Sequence, residues 1–432
     1  MKKKWIIILT ALLISPIILY LLLSLLTGSF CPPDGWQGPY PPWCSKPISL
    51  GPFSYSDLEY IPNSNLEPKQ DKILLGIGMN DLWGNPHLAI DMGEDSRKLV
   101  ESSMKRISTI NSKSLLITDF AIYNENFKVI DATQSNAPGA YEISNQELKN
   151  IVTLAKQNNQ EKVFLTVNLY DPNYIFKKWL GEDLSNTPYE KIKSGNKNII
   201  TESMFPSWKE KIIKVSKKAQ DTGIDYLIIN PTDFNFEYFA DLNELNNKYL
   251  ELIPLIRNEY SGKIGFFTTL PRFLNNNYSS LNQIDFVIVS FDVNSDYLAK
   301  EIFSTSTKDI DSLRTSFDNW LSHDNWNNIP NNNEIFLNIL IPSYDGAIKQ
   351  GWIEPSKDED KWQKSYSEQA LAYEALFQTI YYKDYKIKGI FSYGYWWSDQ
   401  IYPVSKDLRN DLSQSIRQKD AEKIFYKWSK LI

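Results

Sequence analysis

Eight short apolar runs punctuate this chain, and they constrain its fold more than any other feature. They read "KILLGIGM" (72–79), "SLLITDF" (114–120), "KVFLTVNLY" (162–170), "DYLIIN" (225–230), "KIGFFTTL" (263–270), "DFVIVSF" (285–291), "EIFLNILIP" (334–342) and "IKGIFSYGYW" (387–396). They are rich in β-branched and aromatic residues and mostly lack polar alternation, as strands buried on both faces should. Helical patterns lie between most of them. "SNQELKNIVTLAKQN" (144–158) opens with a Ser-x-x-Glu capping box, and "SWKEKIIKVSKKAQDTG" (207–223) ends in a glycine stop. "LNELNNKYLELIPLIRNEYSG" (242–262) carries Pro254, which is expected to kink or divide it, and "SEQALAYEALFQTIYY" (367–382) is a further helix. Strands alternating with helices imply a parallel sheet. Eight such units over residues 71–432 predict a (β/α)8 TIM barrel with enlarged loops. The rival is a doubly wound sheet. Its dinucleotide fingerprint is missing, because "GIGMNDLWG" after the first run has the wrong glycine spacing.

The first seventy residues read differently. Lys2, Lys3 and Lys4 precede "WIIILTALLISPIILYLLLSLL" (5–26), long enough to span a bilayer. A cleaved signal peptide usually has a shorter apolar core, so residues 1–30 are expected to form an uncleaved anchor in the lipid bilayer. The lysines would stay in the cytoplasm and the remainder lie outside. Residues 31–70 are rich in Pro, Gly, Ser and Asn and read as a stalk. The chain's only cysteines, Cys31 and Cys44, bracket a Pro-rich loop there, and a disulfide between them is expected in an oxidising compartment. The net charge of −6 and the lack of a basic stripe argue against a nucleic-acid partner. Two histidines leave no His-rich metal site, and no cofactor motif stands out. The aromatic content of 14% is high, and fits either a large core with a few surface rings or a cleft lined with rings.

Three phrases carry a resemblance to a known class of barrel. "AYEISNQELKNIVTLAKQNNQEKVFLTVNLY" (140–170), "SWKEKIIKVSKKAQDTGIDYLIIN" (207–230) and "QALAYEALFQTIYYKDYKIKGIFSYGYWW" (369–397) resemble helix–strand units of glycoside hydrolase-type TIM barrels. The likeness covers most of residues 72–430 and is one of rhythm and phrase. It implies a glycan ligand at the strand ends. Such enzymes generally place one Glu after the fourth strand and another at the end of the seventh. Here the fourth run ends Asn230-Pro231, and the seventh ends "NILIPSYDG" without a Glu. The site has either shifted its acid or lost it.

A barrel of this type gathers its chemistry at the C-terminal ends of the strands. Those positions supply Asp81 and Trp83 from the first strand, Asp119 and Tyr123 from the second, and Asn168 from the third. Asn230 and Thr232 come from the fourth, Asp292 from the sixth, Tyr344 and Trp352 from the seventh, and Tyr393, Tyr395, Trp396 and Trp397 from the eighth. Any one Asp after a strand is usually a turn former or a helix cap. A whole rim of carboxylates, amides and indoles is what a sugar needs, since carboxylates take its hydroxyls and indoles cover its apolar faces. Glycoside cleavage requires two carboxyl groups flanking the bond. Asp233, three residues beyond the fourth run, is the expected proton donor, with Asp345 as its partner and Glu354 as the alternative carboxylate. The shorter Asp side chains favour an inverting arrangement with an intervening water. Two functions follow: a membrane-anchored extracellular glycoside hydrolase, or a non-catalytic barrel that binds a glycan or another surface partner.

Overall fold

The computed structural model describes residues 73–79, 96–131, 142–171, 174, 177, 183–193, 198–232, 234, 236–270, 278–351, 362–395, 412–417 and 419–431. The strands are β1 (Leu74–Met79), β2 (Ser114–Tyr123), β3 (Val129–Asp131), β4 (Lys162–Tyr170), β5 (Tyr226–Ile228), β6 (Lys263–Thr269), β7 (Phe286–Phe291), β8 (Glu334–Ile339) and β9 (Ile387–Tyr395). All eight apolar runs are therefore strands, and they pair in parallel in the order β1-β9-β8-β7-β6-β5-β4-β2. Pairing of β1 with β2 closes the sheet into a barrel and excludes the open, doubly wound alternative. Among the described residues one further strand, β3, folds back antiparallel on the end of β2. Its turn is made by Asn124, whose side chain accepts the N–H groups of Asn126 and Lys128, and by Phe127 at φ +57°.

Around the barrel lie α1 (Ser96–Thr109), α2 (Asn145–Gln157), α3 (Pro188–Lys193), α4 (Phe205–Thr222), α5 (Leu242–Glu259), α6 (Tyr297–Ser304), α7 (Ile310–Leu321), α8 (Ala347–Gln350), α9 (Tyr366–Tyr382) and α10 (Asp420–Trp428). The capping box at α2 is complete: the Ser144 hydroxyl accepts the Glu147 N–H, and the Glu147 carboxylate accepts the Ser144 N–H. Gly223 stops α4 at φ +80°. Pro254 does not divide α5, which runs unbroken to Glu259 and ends before Gly262.

Alternation along each strand sends one set of side chains to the helices and the other into the barrel. The inward set of Leu116, Phe164, Tyr226, Ile228, Phe286, Ile288, Phe336 and Phe391 forms a plug. Phe164 sits at its centre, stacked on Tyr226 at 4.1 Å between ring centroids and edge-on to Phe391 (4.9 Å) and Phe336 (5.0 Å). Room for these rings comes from β1, where a Cβ at Gly76 would lie 2.6 Å from the Phe391 ring. The barrel is thus a packed core, and its openings lie only at its ends.

Among the described residues no helix is long and apolar enough to cross a membrane. The expected anchor (5–26), the stalk (31–70), Cys31 and Cys44 lie outside the described residues.

Candidate active site at the mouth of the barrel

One pleat above the plug, the barrel interior turns polar. Thr118 follows Leu116 on β2, Thr166 follows Phe164 on β4, Ser290 follows Ile288 on β7, and Asn338 follows Phe336 on β8. Each shares the inward face of the plug residue two positions earlier and stands about 7 Å nearer the C-terminal end. This layer is the floor of the mouth. On one side Thr166 bonds the Thr232 hydroxyl at 3.3 Å, and Thr232 also donates to the Asn168 amide oxygen. On the other, Asn338 Nδ2 donates to Ser290 Oγ at 3.4 Å. The Thr118 hydroxyl and Asn338 Oδ1 are buried and meet no partner. Phe267 of β6 and Tyr393 of β9, both half-buried at the edge of the plug, flank the Ser290–Asn338 pair.

A closed parallel barrel whose strand ends carry hydroxyls, amides and rings has known counterparts. No protein-family model matches the chain, and comparison with curated proteins finds no match. Solved structures do match. A GH113 β-1,4-mannanase superposes with a TM-score of 0.53 at 15% identity, covering 84% of this chain and 99% of that one. A family 5 mannosidase from Rhizomucor miehei gives 0.55 at 12% identity, covering 83% and 93%. The endo-1,4-β-D-mannanase of Thermotoga petrophila gives 0.50 at 10%, covering 84% and 100%. The fold shared with these structures is the (β/α)8 TIM barrel.

In this TIM barrel the fourth parallel strand, β5, is finished by a side chain. Its pairing with β6 sets Ile228 opposite Gly265, and the Ile229 N–H donates to the Gly265 carbonyl at 3.0 Å. The next rung of a parallel ladder would come from residue 231, but Pro231 has no N–H. Asn230 takes over: its amide accepts the Phe267 N–H at 2.8 Å and donates to the Phe267 carbonyl at 2.7 Å. The carbonyl of Ile229 accepts the Trp208 indole N–H at 3.1 Å instead. Asn230 is therefore engaged by the sheet, as a direct consequence of the proline beside it.

Six residues beyond Pro231 the same loop carries Glu237, which strand-end reasoning passed over. Its carboxyl is buried beside the Asn230 amide and the Tyr249 hydroxyl. Its Oε1 and that hydroxyl complete no hydrogen bond of normal geometry. Burial outweighs these weak partners and pushes the carboxyl up to about 7 from an ordinary value of 4.5. The residue was visible in "NPTDFNFEYF" as the second acid of the loop after Asp233.

The other expected site residues fall in three groups. Asp81, Trp83, Asp233, Trp352, Glu354, Trp396 and Trp397 lie outside the described residues. Asn168 is on the mouth floor, in contact with Thr232. The remainder are committed elsewhere. Asp119 occupies an outward position of β2, fully buried, where it pairs with Lys218 of α4 at 2.7 Å and accepts the Ile143 N–H at 2.9 Å. Tyr123, on the same face of β2, is core, its ring 5.2 Å from Phe234. Tyr344 packs on Trp362 and donates its hydroxyl to the Gly351 carbonyl at 2.5 Å. Tyr395 follows the bulge at Gly394 (φ +84°) and is swung to the helix layer. There it donates to Glu422 and accepts from Arg106 Nε at 3.0 Å. Asp292 caps its own turn, accepting from Asn294 N–H and the Ser295 hydroxyl, each at 3.1 Å. Asp345 is exposed on the loop after β8, where Lys308 bridges it to the buried Glu368. None of these six reaches the mouth floor, so none is carried forward as a hydroxyl ligand there.

A cleft of about 350 Å³ exists at the opposite end of the barrel, lined by Asp225, Tyr226, Arg257, Lys263 and Asp285 among others. Its charges hold each other: Lys156–Asp225 at 2.5 Å, Arg257–Asp285 at 2.5 Å and Lys263–Glu334 at 2.6 Å. Asp225 and Asp285 also accept the Val163 and Ile264 N–H groups, each at 2.8 Å. Such networks at the N-terminal face brace a barrel; its chemistry belongs at the other face.

Proposed function

We propose that the protein is a membrane-anchored, extracytoplasmic glycan-active barrel that holds a polysaccharide chain across the C-terminal mouth. The observation that carries this is the mouth floor: uncharged hydroxyl and amide groups, two of them unmet, set directly on an apolar plug beside two half-buried rings. Neutral sugars need that combination of hydroxyl partners and flat apolar surface. The solved structures that share the fold include mannanases and mannosidases, so β-linked mannan is the first polysaccharide to test. Fold alone does not transfer an activity. Hydrolysis would require a proton donor and a second carboxylate, and we assign these to Asp233 with Asp345 or Glu354. Lys308 would then orient Asp345 through their ion pair.

A second reading, a barrel that binds glycan without cleaving it, is favoured by one specific observation. Where the acid is expected, Asn230-Pro231 serves the sheet, and the described floor positions carry no carboxylate. Full-length protein incubated with a polysaccharide panel separates the two. A hydrolase releases reducing ends, and Asp233→Asn and Asp345→Asn each lower turnover by at least about 10²-fold while glycan affinity survives. Cleavage that persists in both variants would refute the pairing and move the test to Glu354 and Glu237. Retention of glycan without release of reducing ends establishes the binding barrel. Neither retention nor release on any polysaccharide would overturn both readings.

A further inference from the structure

We propose that Ser290 and Asn338, between the rings of Phe267 and Tyr393, form a subsite for a single neutral, hydroxylated ring. This rests on the reading of the mouth as a glycan site and names the place within it where the sugar is gripped. Asn338 has no solvent-accessible surface, yet it stands inside the barrel directly above Phe336. Its Nδ2 is spent on Ser290 Oγ, while its Oδ1 is a buried acceptor without a donor. Leaving such an acceptor unmet is unfavourable, so a donor from outside the chain is expected to fill it. The amide is held in one orientation by Ser290, which leaves Oδ1 as an acceptor only and selects a hydroxyl donor.

The flanking residues set the class of ligand. Around the barrel the order is Phe267 on β6, Ser290 on β7, Asn338 on β8 and Tyr393 on β9. Two polar strands thus lie between two aromatic ones, so a ring whose hydroxyls meet Asn338 can lay apolar C–H surface on Phe267 or Tyr393. Thr118, with its own unmet hydroxyl, adds a hydrogen-bonding group from β2. The described inward positions at this level carry no charge: Thr118, Thr166, Asn168, Ser290 and Asn338. An anionic or cationic ligand would find no counter-charge there, and an alkyl chain would leave Oδ1 unmet. A neutral pyranose satisfies both conditions.

The bland alternative is a fixed water on Asn338 Oδ1. Calorimetric titration of the detergent-solubilised full chain with β-1,4-linked mannotetraose distinguishes them. The expected results are saturable binding by the wild type and at least about tenfold weaker binding by Asn338→Leu, which removes the acceptor while keeping the branched shape. Should that variant fail to fold, Ser290→Ala frees the amide to rotate and is expected to weaken binding several-fold, about 3-fold or more. A folded variant that binds like the wild type would assign Oδ1 to water and overturn the subsite while leaving the mouth reading intact. A wild type that binds neither mannotetraose nor any sugar of the panel would overturn the mouth reading itself.

Discussion

Asn230 and Pro231 show how one backbone donor reshapes a strand end. Proline removes the N–H that would have continued the ladder, and the neighbouring amide restores both bonds to Phe267. Asn230→Ala should leave two backbone groups of Phe267 unmet and lower stability by about 2–4 kcal/mol in urea unfolding. Adding Pro231→Ala in that background returns a donor and should recover part of the loss; no recovery would contradict this account of the strand end. Glu237 makes a pH-dependent prediction on the same loop. Its carboxyl is raised from 4.5 to about 7, so the folded state binds more protons than the unfolded state between those values. Its contribution is fully present below about pH 4.5 and is lost as pH rises through about 7. Glu237→Gln should flatten that part of the stability–pH curve and, at pH 8, gain stability over wild type by up to about 3 kcal/mol. A curve parallel to the wild type's would contradict a buried, protonated Glu237.

At the scale of elements, the eight strands were legible because each is a short apolar run bounded by polar loops, and α2 and α4 because the capping box at Ser144 and the stop at Gly223 are written in the chain. Which strand faces point inward was not legible. In "SLLITDF" both faces are buried, so sequence cannot say whether Thr118 or Asp119 looks into the barrel. Strand-end reasoning chose the carboxylate, and the structure turns it to the helices. A better signal was present on other strands: Thr166, Ser290 and Asn338 are each a polar residue interrupting an apolar run. Asp119 instead ties β2 to α4 through Lys218, both residues buried. Lys218→Met would strand a buried carboxylate and should cost about 3–5 kcal/mol. Combining it with Asp119→Asn should restore much of that stability. If the double variant is as unstable as the single, the ion pair is not what joins these elements.

For the whole molecule, the barrel domain is carried by the described residues, while the assigned anchor and stalk are carried by sequence pattern alone. We expect Lys2–Lys4 to hold the N-terminus in the cytoplasm and the barrel outside. Protease added to intact cells should then digest the barrel; full protection would contradict that topology. Mass spectrometry of non-reduced peptides should find Cys31 joined to Cys44, and two alkylatable thiols in freshly isolated protein would refute it. The central claim is that the barrel's working surface is its C-terminal mouth. The most direct measurement is a crystal structure of the protein soaked with β-1,4-linked mannotetraose. The account requires a sugar ring seated above the phenylalanine plug, with a hydroxyl on Asn338 Oδ1 and its face on Phe267 or Tyr393. A mouth holding only ordered water, or a sugar lodged in the Asp225–Arg257 cleft at the other end, would contradict it.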